Sequence, residues 1–146
     1  MMHEILFRGK RKDNGEWVYG YPVKKIDPLL RTEKWFILVQ EYDKSGIDGR
    51  PTILRVEMSW YEVLPETVGQ YTGLTDKNGK KIFEGDIVTN PKGDIGRVTW
   101  YEEHCAFMIY SITENKVYWL FDNDFSLVEI IGNIHDNPEL LKGGEG

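Results

Sequence analysis

The chain has 146 residues, enough for one domain or for two small subdomains sharing a core. Hydrophobic residues at 40% and charged residues at 29% are the balance of an ordinary globular protein, which excludes a disordered or low-complexity chain. The net charge of −6 is uneven: residues 1–65 carry +1 and residues 66–146 carry −7, so the second part repels a phosphate backbone at long range.

In chain order, residues 4–8 and 16–23 read as a hairpin pair joined by Lys12-Asp13-Asn14-Gly15. Trp17, Tyr19 and Tyr21 fall on one face by the two-residue period, and Pro22 marks a strand end or an edge. Trp35 to Val39 is an apolar run short enough for a strand covered on both faces. The Gly- and Asp-rich segment 43–50 reads as a loop, with Thr52 to Met58 returning as partner strand. Leu64-Pro65-Glu66-Thr67 is the expected junction, because composition turns acidic there and Pro65 discourages regular structure across it.

Beyond the junction, strands are expected at 68–72, 86–90, 95–101, 106–112, 116–121 and 127–134. Short strands at this spacing point to a closed barrel or a small sandwich. Asn78-Gly79 supplies the positive φ angles of a tight hairpin, Gly85 a bend, and Asp86 an acceptor for nearby amides. Pro91 to Asp94 and Thr113 to Asn115 read as turns. Asn137 to Leu141 reads as one helical turn, with Asn137 as cap and Pro138 at the first position, before a frayed Gly143-Gly144-Glu145-Gly146 tail. The fold class is thus mainly β, with an N-terminal β subdomain at 1–65 and a small barrel at 66–146.

No constellation demands catalysis. His3, His104 and His135 have no zinc spacing, and Cys105 is the single cysteine, so neither a metal site nor an internal disulfide is expected. Adjacent strand residues point to opposite faces, which makes His104 and Cys105 awkward partners on one ion. Asp122-Asn123-Asp124 could present two carboxylates to a cation, but turn formation is the preferred reading. Glu102-Glu103 reads as a solvated strand end. Glu84 and Asp86 could pair as acid and base, yet no nucleophile or phosphate loop accompanies them, and a structural role for Asn78, Gly79, Gly85 and Asp86 is preferred.

Arg8, Lys10, Arg11 and Lys12 lie near Phe7, Trp17, Tyr19 and Tyr21, the ingredients of single-stranded nucleic-acid binding or a partner surface. The preferred reading is a basic hairpin tip whose aromatics face the core. No cofactor is implied. No apolar run approaches the ~20 residues of a membrane-spanning helix. The start Met1-Met2-His3-Glu4 lacks the features of a signal peptide, so cytoplasmic residence is expected.

Several segments together carry a resemblance: Phe7 to Lys10, Asn14 to Tyr21, Thr67 to Leu74, Asp76 to Val88, and Ile130 to Leu141. In this order they resemble the YopX family of bacteriophage and prophage proteins, least strongly over 24–62. The resemblance implies an N-terminal β subdomain, a C-terminal SH3-like barrel and residence in the bacterial cytoplasm. It supplies no catalytic residue or ligand. The expected function is a non-enzymatic phage or prophage protein that self-associates as an interaction module and takes a host or phage protein as a further partner. The rivals are nucleic-acid binding through the basic-aromatic face, and an enzyme using Glu84, Asp86, Asp122 or Asp124.

Overall fold

The computed structural model describes residues 4–42, 56–120 and 127–142. The expected 43–50 loop, the start of its partner strand, His3, Asp122, Asp124 and the glycine-rich tail lie outside the described residues. The chain divides into two compact units, Leu6–Val68 and Gly69–Gly146, the latter together with Met1–Ile5. The described strands are arranged in two sheets, and every pairing within a unit is antiparallel.

The first unit holds β1 (Phe7–Lys10), β2 (Trp17–Asp27), β3 (Thr32–Tyr42) and β4 (Val56–Val63) in the spatial order β4-β3-β2-β1. The strand that contains Pro22 does not end there. Pro22 pairs with Ile37 deep within β2, while β1 covers β2 only from Trp17 to Gly20. Beyond Gly20 that flank of β2 lacks β1, so the missing proline N–H costs no bond to it.

The sheet curls until its outer strands meet at one end. Arg11 bridges Val63, the Lys12 amide donates to the Glu62 carbonyl (3.0 Å), and the Leu64 amide donates to the Lys10 carbonyl (2.9 Å). Thr67 locks this closure: its hydroxyl accepts from the Lys10 amide (2.8 Å) and donates to the Leu64 carbonyl (2.6 Å). The inner face carries Gly9, Gly20, Ile37 and Val63, all buried. Small residues are required there: a Cβ on Gly20 would lie 2.0 Å from the Leu38 carbonyl oxygen. Of the apolar run 35–39, only Ile37 is fully buried, so the strand is not covered on both faces.

The second unit contains the hairpin β5 (Gly69–Thr75) with β6 (Lys81–Phe83), then β7 (Asp86–Thr89), β8 (Ile95–Tyr101), β9 (Ala106–Ser111), β10 (Lys116–Trp119) and β11 (Glu129–Asn133). The last five form a sheet in the order β10-β9-β8-β7-β11. Its two ends do not pair with each other, so the described residues form no closed barrel, contrary to the expected closure. Ile82, Val88, Val98, Ile109, Leu120 and Val128 make the core. Ile87 is also fully buried, and adjacent Ile87 and Val88 point to opposite faces, so β7 is covered on both. A 3-10 turn at Glu102–His104, absent from the sequence reading, joins β8 to β9, and another spans Pro138–Lys142. At the latter, Asn137 does not cap with its side chain; its Oδ1 accepts from the Asn133 amide instead (3.3 Å).

Two turns in this unit share one design. In each, the residue four positions after an Asp or Asn closes the loop, with Asp76 N–H to Lys80 O at 2.7 Å and Asn90 N–H to Asp94 O at 3.3 Å. The side-chain oxygens of Asp76 and Asn90 each accept two loop amides. Only Gly79 and Gly93 take positive φ; Asn78 does not, against the sequence expectation. The reason is loop length, because a three-residue loop needs the left-handed conformation only at its last position, whereas a two-residue hairpin needs it twice.

Asp76 goes further than Asn90. Its second oxygen accepts the Ile130 amide of β11 (3.1 Å), and the Lys77 amide donates to Val128 O (2.9 Å). Burial pushes the Asp76 carboxyl up, but the hydrogen bonds from Lys80, Ile130 and Asn78 outweigh it and leave the pKa below the ordinary aspartate value. A depressed folded pKa means that this stabilisation is present above the unfolded pKa of about 4 and is lost as pH falls through the folded value. Asp76→Asn is therefore expected to keep the turn but set an amide against the Ile130 N–H, costing about 1–3 kcal/mol in urea denaturation and flattening the loss of stability at acid pH. Asn90→Asp replaces the Nδ2 donor to Asp94 (3.1 Å) with a second carboxylate, so it is expected to destabilise too, but with the cost easing as pH falls, and a cost that grows toward acid pH would contradict that pairing.

Candidate functional site

The basic cluster is not a free cationic patch. β1 places Arg8 and Lys10 opposite Tyr19 and Trp17. Arg8 is only 6% exposed, and its guanidinium lies 4.7 Å from the Trp17 ring centroid. Lys10 is half-buried. Arg11 makes a two-pronged bond to Asp13, from Nε to Oδ1 at 2.9 Å and from Nη2 to Oδ2 at 2.6 Å, and stacks 4.5 Å over Tyr61. These bonds hold the Asp13 carboxyl below its usual range and raise the Arg11 guanidinium further above its own. Lys12 stands 3.6 Å from Glu62. The loop thus brings its own carboxylates to its cations, which lowers the attraction it can offer a phosphate backbone.

The aromatics, in contrast, do not all face the core. By register and the two-residue period, Tyr19, Tyr21 and Val23 of β2 share the outer face with Phe36 and Leu38 of β3 and Met58 and Trp60 of β4. Tyr19, Tyr21, Met58 and Trp60 are each 44–47% exposed. Phe36 meets Trp60 edge to face at 6.1 Å, and Lys25 Nζ sits over both rings at 5.2 and 4.7 Å. By the same register the opposite face carries Trp35, Ile37, Tyr61 and Val63, of which Ile37 and Val63 are fully buried. Where β4 meets the Arg11–Asp13 loop, Arg11, Lys12, Asp13, Trp60, Tyr61 and Glu62 line an open groove of about 480 Å³. Trp60 and Met58 were invisible as surface residues in the sequence, since the two-residue period shows that side chains share a face but not which face is inside.

Of the acidic candidates, only Glu84 and Asp86 lie among the described residues. Asp86 is 2% exposed, and its Oδ2 accepts the Phe83 amide at 2.7 Å. Gly85 takes φ +91°, donating to Val98 O (2.8 Å) and accepting from the Ile134 amide (2.9 Å). Asn78 is exposed, and a Cβ on Gly79 would meet open space, so both serve the turn alone. His104 and Cys105 lie not on a strand but in the 3-10 turn and its left-handed end, where His104 stacks against Trp119 (5.5 Å) and Cys105 is exposed. Among the described residues no three His, Cys, Asp or Glu side chains group as metal ligands, and no helix is long and apolar enough to cross a membrane.

The fold and surface define a mainly β, antiparallel protein with aromatic side chains exposed on one sheet face. A family model described as YopX protein matches residues 6–142, and the chain belongs to the YopX family. Among solved structures it is similar to protein EF1440 from Enterococcus faecalis, known as a crystal structure, with 23% identity and a TM-score of 0.51. That similarity covers 96% of this chain and 99% of the other and bears on the fold alone. No curated protein matches the chain.

The burial of Arg8 against Trp17 has a measurable consequence. Arg8→Ala is expected to lower the unfolding free energy by about 2 kcal/mol or more, through lost cation–π contact and packing. Lys12→Ala, at a solvated pair, should stay within about 0.5 kcal/mol. Chemical denaturation of both variants checks this, and an equally small effect at Arg8 would return it to the list of surface cations.

Proposed function

We propose that the chain is a non-enzymatic interaction module that self-associates, an accessory protein of phage or prophage origin acting in the bacterial cytoplasm. The observation that carries this reading is the outer face of the first unit, where Tyr19, Tyr21, Met58 and Trp60 are exposed together. Single exposed apolar residues are ordinary, but a contiguous group of this kind is the usual mark of an interaction surface. Tyr, Trp and Met are also the residue types enriched at interfaces, because they bring large contact area at low entropic cost. Association with a host or phage protein uses the same physics and is the second occupant we envisage.

The finer fold reading belongs with this proposal. A four-strand meander, β7 to β10, with β11 returning beside β7, supports a likeness between the second unit and an SH3-type barrel that has opened. The first unit, in this view, is a β subdomain that supplies the surface.

Nucleic-acid binding is less well supported, since Arg8 is buried and Arg11 and Lys12 stand beside Asp13 and Glu62. The enzymatic alternative loses Asp86, whose carboxylate is engaged with a backbone amide. Light scattering should give a mass that rises above the 17.0 kDa of one chain as concentration increases. Trp60→Ala should weaken the association by roughly one to two orders of magnitude, the size expected for an interface anchor. A single-chain mass at every concentration would remove the reading.

A further inference from the structure

The hairpin of β2 and β3 runs on beyond the strands that flank it. β1 covers β2 from Trp17 to Gly20, and the pairing of β4 with β3 begins at Trp35. From there the β2–β3 register continues through Lys25↔Lys34 and Ile26↔Glu33 to Asp27↔Thr32, and Pro28 to Arg31 close the turn. Every residue from Lys24 to Lys34 is exposed, so this end of the hairpin is a projecting two-stranded ribbon. Tyr42, where the chain leaves β3, lies at the opposite end of the strand, roughly 30 Å away by the strand rise.

The tip is a formed turn that holds apolar side chains out. Asp27 Oδ1 accepts the amides of Leu29 (2.9 Å) and Leu30 (3.1 Å), and Arg31 takes the left-handed conformation (φ 52°) that returns the chain. Leu29 is 92% exposed and Leu30 72%, more than any other large apolar side chain among the described residues. Ile26, just behind them, is also exposed. Behind the tip stand Lys24, Lys25 and Lys34, with Arg31 in the turn itself. Only Asp27 and Glu33 oppose these four cations within the ribbon, and Glu33 lies 3.7 Å from Lys24. The ribbon is thus positive in a chain of net charge −6. Lys25 also stands directly across from Lys34, an unfavourable like-charge pair that an external anion would relieve.

We propose that this tip inserts into the interface of an anionic lipid bilayer, with the leucines beneath the headgroups and the cations at the phosphates. By the strand rise, the Lys25–Lys34 pair sits about 7 Å behind Asp27 and Thr32, which matches the ~5–10 Å depth of interfacial insertion. By alternation Lys25 and Lys34 share one face of the ribbon while Lys24 belongs to the other, so positive charge flanks both sides. A bilayer surrounds a ribbon that enters end-on and meets all of these groups at once. A groove on a protein would engage one face and leave the other cation in water. Such attachment is peripheral and needs no membrane-spanning segment. It goes beyond the self-association proposed above and does not depend on it.

The test sediments the full chain with vesicles of phosphatidylglycerol and phosphatidylethanolamine, and separately with vesicles of phosphatidylcholine alone. Binding is expected to the first, weakening as salt is raised, and at least tenfold less to the second. Leu29→Ser/Leu30→Ser should weaken binding to the anionic vesicles by at least about tenfold, with an unchanged circular dichroism spectrum. Arg31→Gln and Lys34→Gln should each weaken it roughly fivefold. In a Cys105→Ser background, an environment-sensitive fluorophore on Leu30→Cys should shift its emission to the blue when anionic vesicles are added. No binding to the anionic vesicles overturns the proposal, and so does binding that survives the loss of both leucines. If vesicles are not bound but the leucine substitutions lower the mass seen by light scattering, the tip seats in a protein and the bilayer is overturned. If the double variant fails to fold, the emission of the labelled chain decides.

Discussion

The Asp76 carboxylate holds the second unit together in a way no other described side chain does. It accepts amides from Asn78 and Lys80 of its own turn and from Ile130 of β11, which is distant in sequence. β11 is thereby held on one flank by β7 and on the other by the tip of the β5–β6 hairpin, with Lys77 and Glu129 pairing at 3.1 Å beside it. A buried carboxylate is costly unless its oxygens are satisfied, and here backbone amides do so at three points. The turn shapes the chain locally and also docks a hairpin onto a sheet edge. Asn90 shows the simpler version, in which the amide oxygen organises the loop and its nitrogen donates to Asp94.

The first unit is governed by a steric constraint. Close approach at Gly9 and Gly20 lets the sheet curl, and the curl brings Arg11 to Val63. The inner face buries Ile37 and Val63 fully and leaves Trp35 and Tyr61, which share it by register, half-buried. Tyr19, Tyr21 and Trp60 lie on the other face, where their exposure is a cost to solubility that an interaction surface can offset. The same closure ties the Val63 end of β4 to Arg11.

Much of this was legible in the residues. The strand at 95–101 appears as β8 with the expected bounds, and β7, β9, β10 and β11 differ only at their ends, because alternation and turn residues act locally. Family membership was legible too, since it rests on residues in order. The 3-10 turn at 102–104 was not, because Glu-Glu-His at a strand end carries no turn signal of its own and depends on Cys105 taking a left-handed conformation. β6 was missed because three residues are too few to show a period. Pro22 was read as a strand end because a sequence cannot show that β1 stops short of it.

The candidate surface divides along the same line. The sequence by itself determined that Trp17, Tyr19 and Tyr21 share a face, that Gly79 turns the chain, and that Asp86 serves a nearby amide, all consequences of backbone geometry over a few residues. Only the tertiary structure decided that Arg8 is buried, that Asp13 answers Arg11, and that Trp60 joins Tyr21 across β3. Those outcomes depend on which strands meet and which way the sheet curls, and such contacts are set by packing between residues far apart in the chain.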